Sequence, residues 1–252
     1  MRRGVVLVLA VTIAAPPAVA HISPSVDDNN RYVKLTPAAD RVRISYTVLF
    51  GEVPGAQTRK TIDANRDGTI SDDEASVFGT KIAGEVAPAL DVTVDGKVQP
   101  VTWATVSVGM GSEQTAAGSF SVDLVAWACL PVARGKHQIV VRDKFRIPRP
   151  GETEVKVEDS PGVTIHHARV GTLSDPTNDY RFAGPGGPLA DDGLDLEFTA
   201  SDKAPLTADG TCSTTSAAKA RPPTRMIITL AAGIAFVLAV IAIVIKRRRR
   251  RP

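Results

Sequence analysis

The chain has 252 residues, 43% of them hydrophobic and 23% charged, with only 7 Phe, 3 Tyr and 2 Trp, a composition that suits a modest core. Its formal charge of +3 adds unlike parts: of 30 basic residues, two are Arg2 and Arg3 and six lie at 246–251, which leaves 22 basic against 27 acidic residues for the remainder. A mildly acidic body argues against nucleic-acid binding and gives no support for docking on anionic lipid.

At the N-terminus, Arg2 and Arg3 precede an apolar run at 5–15, and Ala18-Val19-Ala20 is a small-residue cleavage pattern. Residues 1–20 therefore read as a secretory signal peptide, and the mature chain is expected to begin at His21. The first strand expected in the exported part is 42–49, where apolar and polar residues alternate before an apolar finish.

Residues 63–74 read Asp63-Ala64-Asn65-Arg66-Asp67-Gly68-Thr69-Ile70-Ser71-Asp72-Asp73-Glu74. Calcium is a hard cation that takes six to eight oxygens, and a loop that offers them from alternate positions can wrap it. Asp63, Asn65 and Asp67 would supply side-chain oxygens, Thr69 its backbone carbonyl, Ser71 a hydroxyl or a water, and Glu74 both carboxylate oxygens. Gly68 falls where such a loop turns sharply with positive φ, and Ile70 where an apolar residue pins it to a neighbouring strand. An Asp/Asn/Gly-rich turn that merely faces water has no need of Glu74, Gly68 and Ile70 in this register. After the loop, Ala75, Phe78, Ile82, Val86 and Leu90 recur at helical spacing, which predicts a helix to about residue 90, with Ser71 as its cap and Asp72, Asp73 and Glu74 at its dipole-favoured start. Before it, Pro54 is a reasonable starter for a short entering helix at 55–62.

This helix–loop–helix unit, at about 52–90, resembles the EF-hand family. The resemblance implies Ca2+ as the ligand and Asp63, Asn65, Asp67, Thr69, Ser71 and Glu74 as the metal site. No second loop of this spacing occurs in the sequence. EF-hands generally work in pairs, so a lone one must find support in another domain or a second molecule.

Beyond the hand the sequence reads as β. The run 92–98 is a hairpin turning at Asp95-Gly96, and strands are expected at 103–108, 120–128, 138–141, 152–157, 163–165 and 194–198. The fold expected for 21–199 is mainly β, an antiparallel β-sandwich with the hand as a helical insertion whose Phe78/Ile82/Val86 face packs on the sheets. Residues 200–225, rich in Ala, Ser, Thr, Pro and Lys, read as a linker. The stretch 226–245 has neither charge nor proline and is about long enough to cross a hydrocarbon core of roughly 30 Å. The basic cluster at 246–251 would stay cytoplasmic, leaving the body outside, in the periplasm or on the cell surface.

Cys129 and Cys212 sit in a chain expected to meet an oxidising compartment; two cysteines permit a disulfide without demanding one. A free amino group at His21 would let the mature terminus chelate copper with one further histidine, as in the histidine-brace proteins. His166 and His167 are the candidates, but neighbours on a regular strand point to opposite faces, so at most one would face a shared site. No zinc spacing, Gly-x-Ser-x-Gly elbow, phosphate loop or dinucleotide fingerprint occurs, and no enzyme is read here.

From His21 through Arg41-Val42-Arg43-Ile44-Ser45-Tyr46, the hand and Asp91-Val92-Thr93-Val94-Asp95-Gly96, the exported stretch looks like the N-terminal domain that precedes bacterial HupE and nickel/cobalt-type transporter domains. That resemblance implies an envelope accessory or sensory domain in a setting of metal homeostasis. A cysteine, a hydrophobic helix and an arginine cluster at the C-terminus resemble a MYXO-CTERM-type sorting tail. The leading expectation is a calcium-binding, membrane-anchored extracytoplasmic protein in which calcium orders a helical insertion for structural reasons or for an envelope partner. The rivals are a copper or nickel accessory using His21 and a surface adhesin.

Overall fold

The computed structural model describes residues 27–171, 181–182, 188–207, 211–212 and 215–216. The expected signal peptide at 1–20, His21, the hydrophobic stretch at 226–245 and the basic tail at 246–252 lie outside the described residues. Among those described, no helix is long and apolar enough to cross a membrane.

The protein is mainly β. Its strands are β1 (Asn29–Pro37), β2 (Arg41–Phe50), β3 (Leu90–Val94), β4 (Lys97–Gln99), β5 (Trp103–Gly109), β6 (Phe120–Cys129), β7 (Val132–Ala133), β8 (Gly135–Asp143), β9 (Pro150–Val157), β10 (Val163–Val170), β11 (Arg181–Phe182), β12 (Leu194–Ala200) and β13 (Thr215–Ser216). The helices are α1 (Glu52–Ile62), α2 (Asp72–Val86) and the single turn α3 (Pro188–Asp191). One sheet has the order β11-β9-β1-β2-β6-β5 and a second β10-β12-β8-β3-β4, with β13 and β7 as a separate pair.

Alternation decides which residues enter the core. Val33 and Leu35 on β1, Ile44, Tyr46 and Val48 on β2, and Leu124 and Ala126 on β6 are buried from the first sheet. Val92, Val94, Ile139, Val141, Leu196 and Phe198 are buried from the second, and all belong to one hydrophobic core. The Tyr46 hydroxyl crosses between the sheets and donates to Asp143 Oδ2 at 2.9 Å, beside the buried Arg31 that pairs with the same carboxylate. Burial, and next the Asp143 charge, push the Tyr46 phenol well above its ordinary pKa, so it stays a donor.

The expected all-antiparallel arrangement needs correction, because β1 and β9 pair in parallel, with Val33 opposite Val155 and Leu35 opposite Val157. Period-two alternation is the same for either direction, and a parallel neighbour requires a long crossover. Here that crossover contains the hand and several strands of the second sheet. Sequence reading also missed β1, although Val33 and Leu35 alternate with Tyr32, Lys34 and Thr36.

The helix–loop–helix unit is one of the connections between the two sheets: it leaves β2 of the first and returns as β3 of the second. Its α2 lies over β5, where the Trp103 indole donates to the Ala83 carbonyl at 2.9 Å and Phe78 meets Phe50 and Phe120 edge-on. The predicted helix to residue 90 is shorter in fact, because Pro88 falls in a 3₁₀ turn at Ala87–Ala89 and Leu90 already belongs to β3. The expected Asp95-Gly96 turn is present with φ of +48° and +77°, the left-handed pair that a two-residue hairpin of this kind requires.

The beginning of the segment read as a linker is packed on the body. Ala204 is buried, Ser201 N donates to Gly162 O at 2.9 Å, and the Arg134 guanidinium reaches Ala204 O at 3.4 Å. Composition alone hides this, since small and polar residues dock through backbone hydrogen bonds as readily as they form tethers. A disulfide joins Cys129 to Cys212, with a Cα–Cα distance of 5.4 Å.

Candidate metal centre

Five of the six sequence-predicted residues fall in the loop between α1 and α2 and Glu74 in the first turn of α2, and hydrogen bonds to backbone amides orient their side chains. Asp63 caps the end of α1 through its backbone N–H to Arg59 O, so the first ligand position is held by the helix itself. Its Oδ1 accepts from Asp67 N at 3.1 Å and its Oδ2 from Gly68 N at 3.0 Å. Asn65 Oδ1 accepts from the same Asp67 N at 2.9 Å, which brings the first and third positions onto one amide. Asp67 Oδ1 accepts from Thr69 N at 2.8 Å and Thr69 Oγ1 at 2.6 Å.

The twelfth position folds back on the start. Glu74 Oε1 accepts from Ala64 N at 2.8 Å, and Oε2 accepts from Ser71 N at 3.0 Å and Ser71 Oγ at 2.9 Å. Ser71 Oγ in turn accepts from Glu74 N, completing a capping box on α2. Gly68 has φ +88°, as the turn requires.

Hydrogen bonds lower two carboxyls below their ordinary range: those from the Thr69 hydroxyl and amide, then Asn65, act on Asp67, and those from the Ser71 amide and hydroxyl act on Glu74. Both side chains are ionised at neutral pH. Among the described residues no three His, Cys, Asp or Glu side chains are gathered as a metal cluster. The loop offers a mixed oxygen set instead, with three carboxylates, an amide oxygen, a backbone carbonyl and a hydroxyl. That chemistry suits a hard cation.

The loop between α1 and α2 is braced by a segment of the same domain. Ile70 is buried, and its N–H donates to Glu113 O at 2.7 Å; Thr115 N and Oγ1 both donate to Gly68 O, at 3.1 and 3.0 Å. These bonds flank an antiparallel bridge between Thr69 and Gln114. Residues 111–118 fall between the strands expected at 103–108 and 120–128, where the sequence marks no element. The signal it lacked is tertiary, because nothing in Glu113-Gln114-Thr115 marks it as the partner of a loop more than forty residues earlier.

The histidines differ from expectation. A bulge between Ile165 and His167 shifts the register of β10, so that His167 lies opposite Glu197 and Ala168 opposite Leu196. His166 bonds Thr199 Oγ1 at 2.8 Å, and the fields of both histidines help to lower the Glu197 carboxyl, after the hydrogen bond and charge of Lys136. Both rings therefore lie on the outward face of the second sheet, contrary to the strict alternation of a regular strand.

Compared with family models and with curated proteins, the chain matches no family model and no curated protein.

Proposed function

We propose that the protein is a calcium-binding, membrane-anchored extracytoplasmic protein in which Ca2+ orders the hand that joins the two sheets of a β-sandwich. The observation that carries this reading is the loop itself, in which Asp63 and Asn65 both accept from the Asp67 amide and Glu74, from the first turn of α2, folds back to accept from the Ala64 amide. When bound, the cation would be held by Asp63, Asn65, Asp67, Thr69, Ser71 and Glu74. Asp63, Asp67 and Glu74 place three carboxylates within twelve residues, and a divalent cation that drew them together would neutralise their repulsion.

Because calcium would bind the folded hand and not the unfolded chain, it stabilises the fold by mass action. With three carboxylates and an exported location, the dissociation constant is expected near ~10⁻⁴ M. At a hundredfold excess over that value the stabilisation is about 2.7 kcal/mol. The hand then acts as a structural clip that fixes the angle of α2 over β5 and shapes a face for an envelope partner. The anchor would be the stretch at 226–245 and the cytoplasmic tail 246–252.

Calorimetry on the full-length protein in detergent tests the reading. The wild type should give a calcium heat that Glu74→Gln abolishes or strongly weakens. No heat, or a heat unchanged in Glu74→Gln, overturns it.

A further inference from the structure

Arg59 is the only arginine of α1 and one of the largest fully buried side chains in the protein. Among the described residues no carboxylate pairs with it. All five of its N–H donors point at backbone carbonyls of one segment, 110–119, which links β5 to β6. Nε donates to Gly118 O at 3.0 Å, Nη1 to Ser112 O at 2.7 Å and Gln114 O at 3.3 Å, and Nη2 to Met110 O and to Ser119 O at 3.2 Å. The guanidinium also stands over the Phe120 ring, 5.4 Å from its centroid.

A buried cation without a counter-charge is costly unless every donor is met, and here the fork of donors selects one conformation of the segment. The backbones are close as well: a Cβ on Gly55 would sit 2.6 Å from Gly118 O. The segment so held is the one that bridges the metal loop, through Ile70 N to Glu113 O and Thr115 N to Gly68 O. Arg59 lies one turn before Asp63 and accepts the Asp63 amide on its own carbonyl. A single residue thus touches both the start of the loop at 63–74 and the segment that backs it.

We infer that segment 110–119 takes the place of a second hand, and that Arg59 is the positioning residue that holds it against the calcium loop; the inference rests on the calcium reading above. Arg59 contributes no ligand. It sets calcium affinity by presenting Gln114 to Thr69, so that the loop is shaped before the ion arrives. Coupling is reciprocal, so calcium must in turn hold segment 110–119 more tightly. The ion's presence is therefore transmitted to the β5 edge of the first sheet, beyond the hand itself.

The test uses the full-length protein in detergent, stripped with chelator, with calcium chloride as the probe. Two variants are compared with the wild type: Arg59→Lys, which keeps the charge and loses the fork, and Thr115→Pro, which removes both donors to Gly68 O at a half-buried position. The expected result is a dissociation constant weaker by roughly ten- to a hundredfold in each, as for residues that orient metal ligands, with circular dichroism unchanged. In the wild type, calcium should slow hydrogen exchange at the amides of Ile70 and Thr115. A merely structural Arg59 would lower the melting temperature without moving the calcium constant of the folded protein. Wild-type calcium binding with both variants equally tight, or with Thr115 exchange unaffected by the ion, overturns the inference. A wild type with no calcium heat overturns the calcium reading, and this inference with it. Should Arg59→Lys fail to fold, Thr115→Pro and the wild-type exchange rates decide.

Discussion

Asp143 shows how much a single side chain carries in this protein. It is fully buried, pairs with Arg31, accepts from Tyr46 and takes the Phe145 amide at 2.8 Å on its other oxygen. Asp143→Ala would leave the Arg31 guanidinium buried without its counter-charge, and the expected loss is about 3–5 kcal/mol, read as a shift of the urea midpoint. Asp67 and Glu74 have lowered folded values, so their contribution is complete above the ordinary carboxylate range and is lost as pH falls through those lowered values. Acid titration followed by calcium heat should therefore show the loop intact at neutral pH and failing only below the ordinary range; failure on the alkaline side would contradict the assignment. The candidate site residues could be picked out in the sequence because the pattern that proposes them is local, each oxygen being assigned by its place in a twelve-residue run. Arg59 was not legible. A basic residue on a short helix reads as a solvated face, and only the carbonyls of a distant segment give it a reason to be buried.

At the scale of elements, α2 depends on its first turn and on its dock against β5. Ser71 caps the helix and, in the proposed calcium reading, would also offer an oxygen at the ninth position of the loop. Ser71→Ala should cost about 0.5–2 kcal/mol in the chelated protein, seen in thermal melts, through loss of the cap alone; an unchanged melt would show that the capping box is dispensable. The strands at β2, β5, β6, β9 and β12 could be read from alternation and turn residues, as could the β3–β4 hairpin from Asp95-Gly96. The bulge in β10 could not. Val163-Thr164-Ile165-His166-His167 contains no glycine or proline to mark it, and its register is set by which residues of β12 fill the core opposite. Ala168 and Leu196 must both face inward, and His166 becomes the extra residue.

For the whole molecule, the Cys129–Cys212 bond ties a segment near the end of the described residues back to β6, across a sequence separation of 83. Closing so long a loop restricts the unfolded chain, and the loop-entropy estimate is about 4–5 kcal/mol. Reduction should lower the denaturant midpoint accordingly, and equal midpoints for oxidised and reduced protein would show that the docking of 201–207 alone secures this end. That docking has its own anchors, in Ala204, Ser201 and the contact of Arg41 with Thr207 O at 3.5 Å. Local chemistry in the chain was enough to specify a mainly β body, the hairpin turn and the chemical possibility of a disulfide, and to mark 63–74 as a candidate site, since each depends on residues close in sequence or on composition. Strand direction, the pairing of β1 with β9, the bridging of the two sheets by the hand, and the recruitment of segment 110–119 by Arg59 were settled only in three dimensions. Period-two patterns carry no information about direction, and backbone carbonyls, which every residue possesses, leave no mark in a sequence to say which donor will claim them.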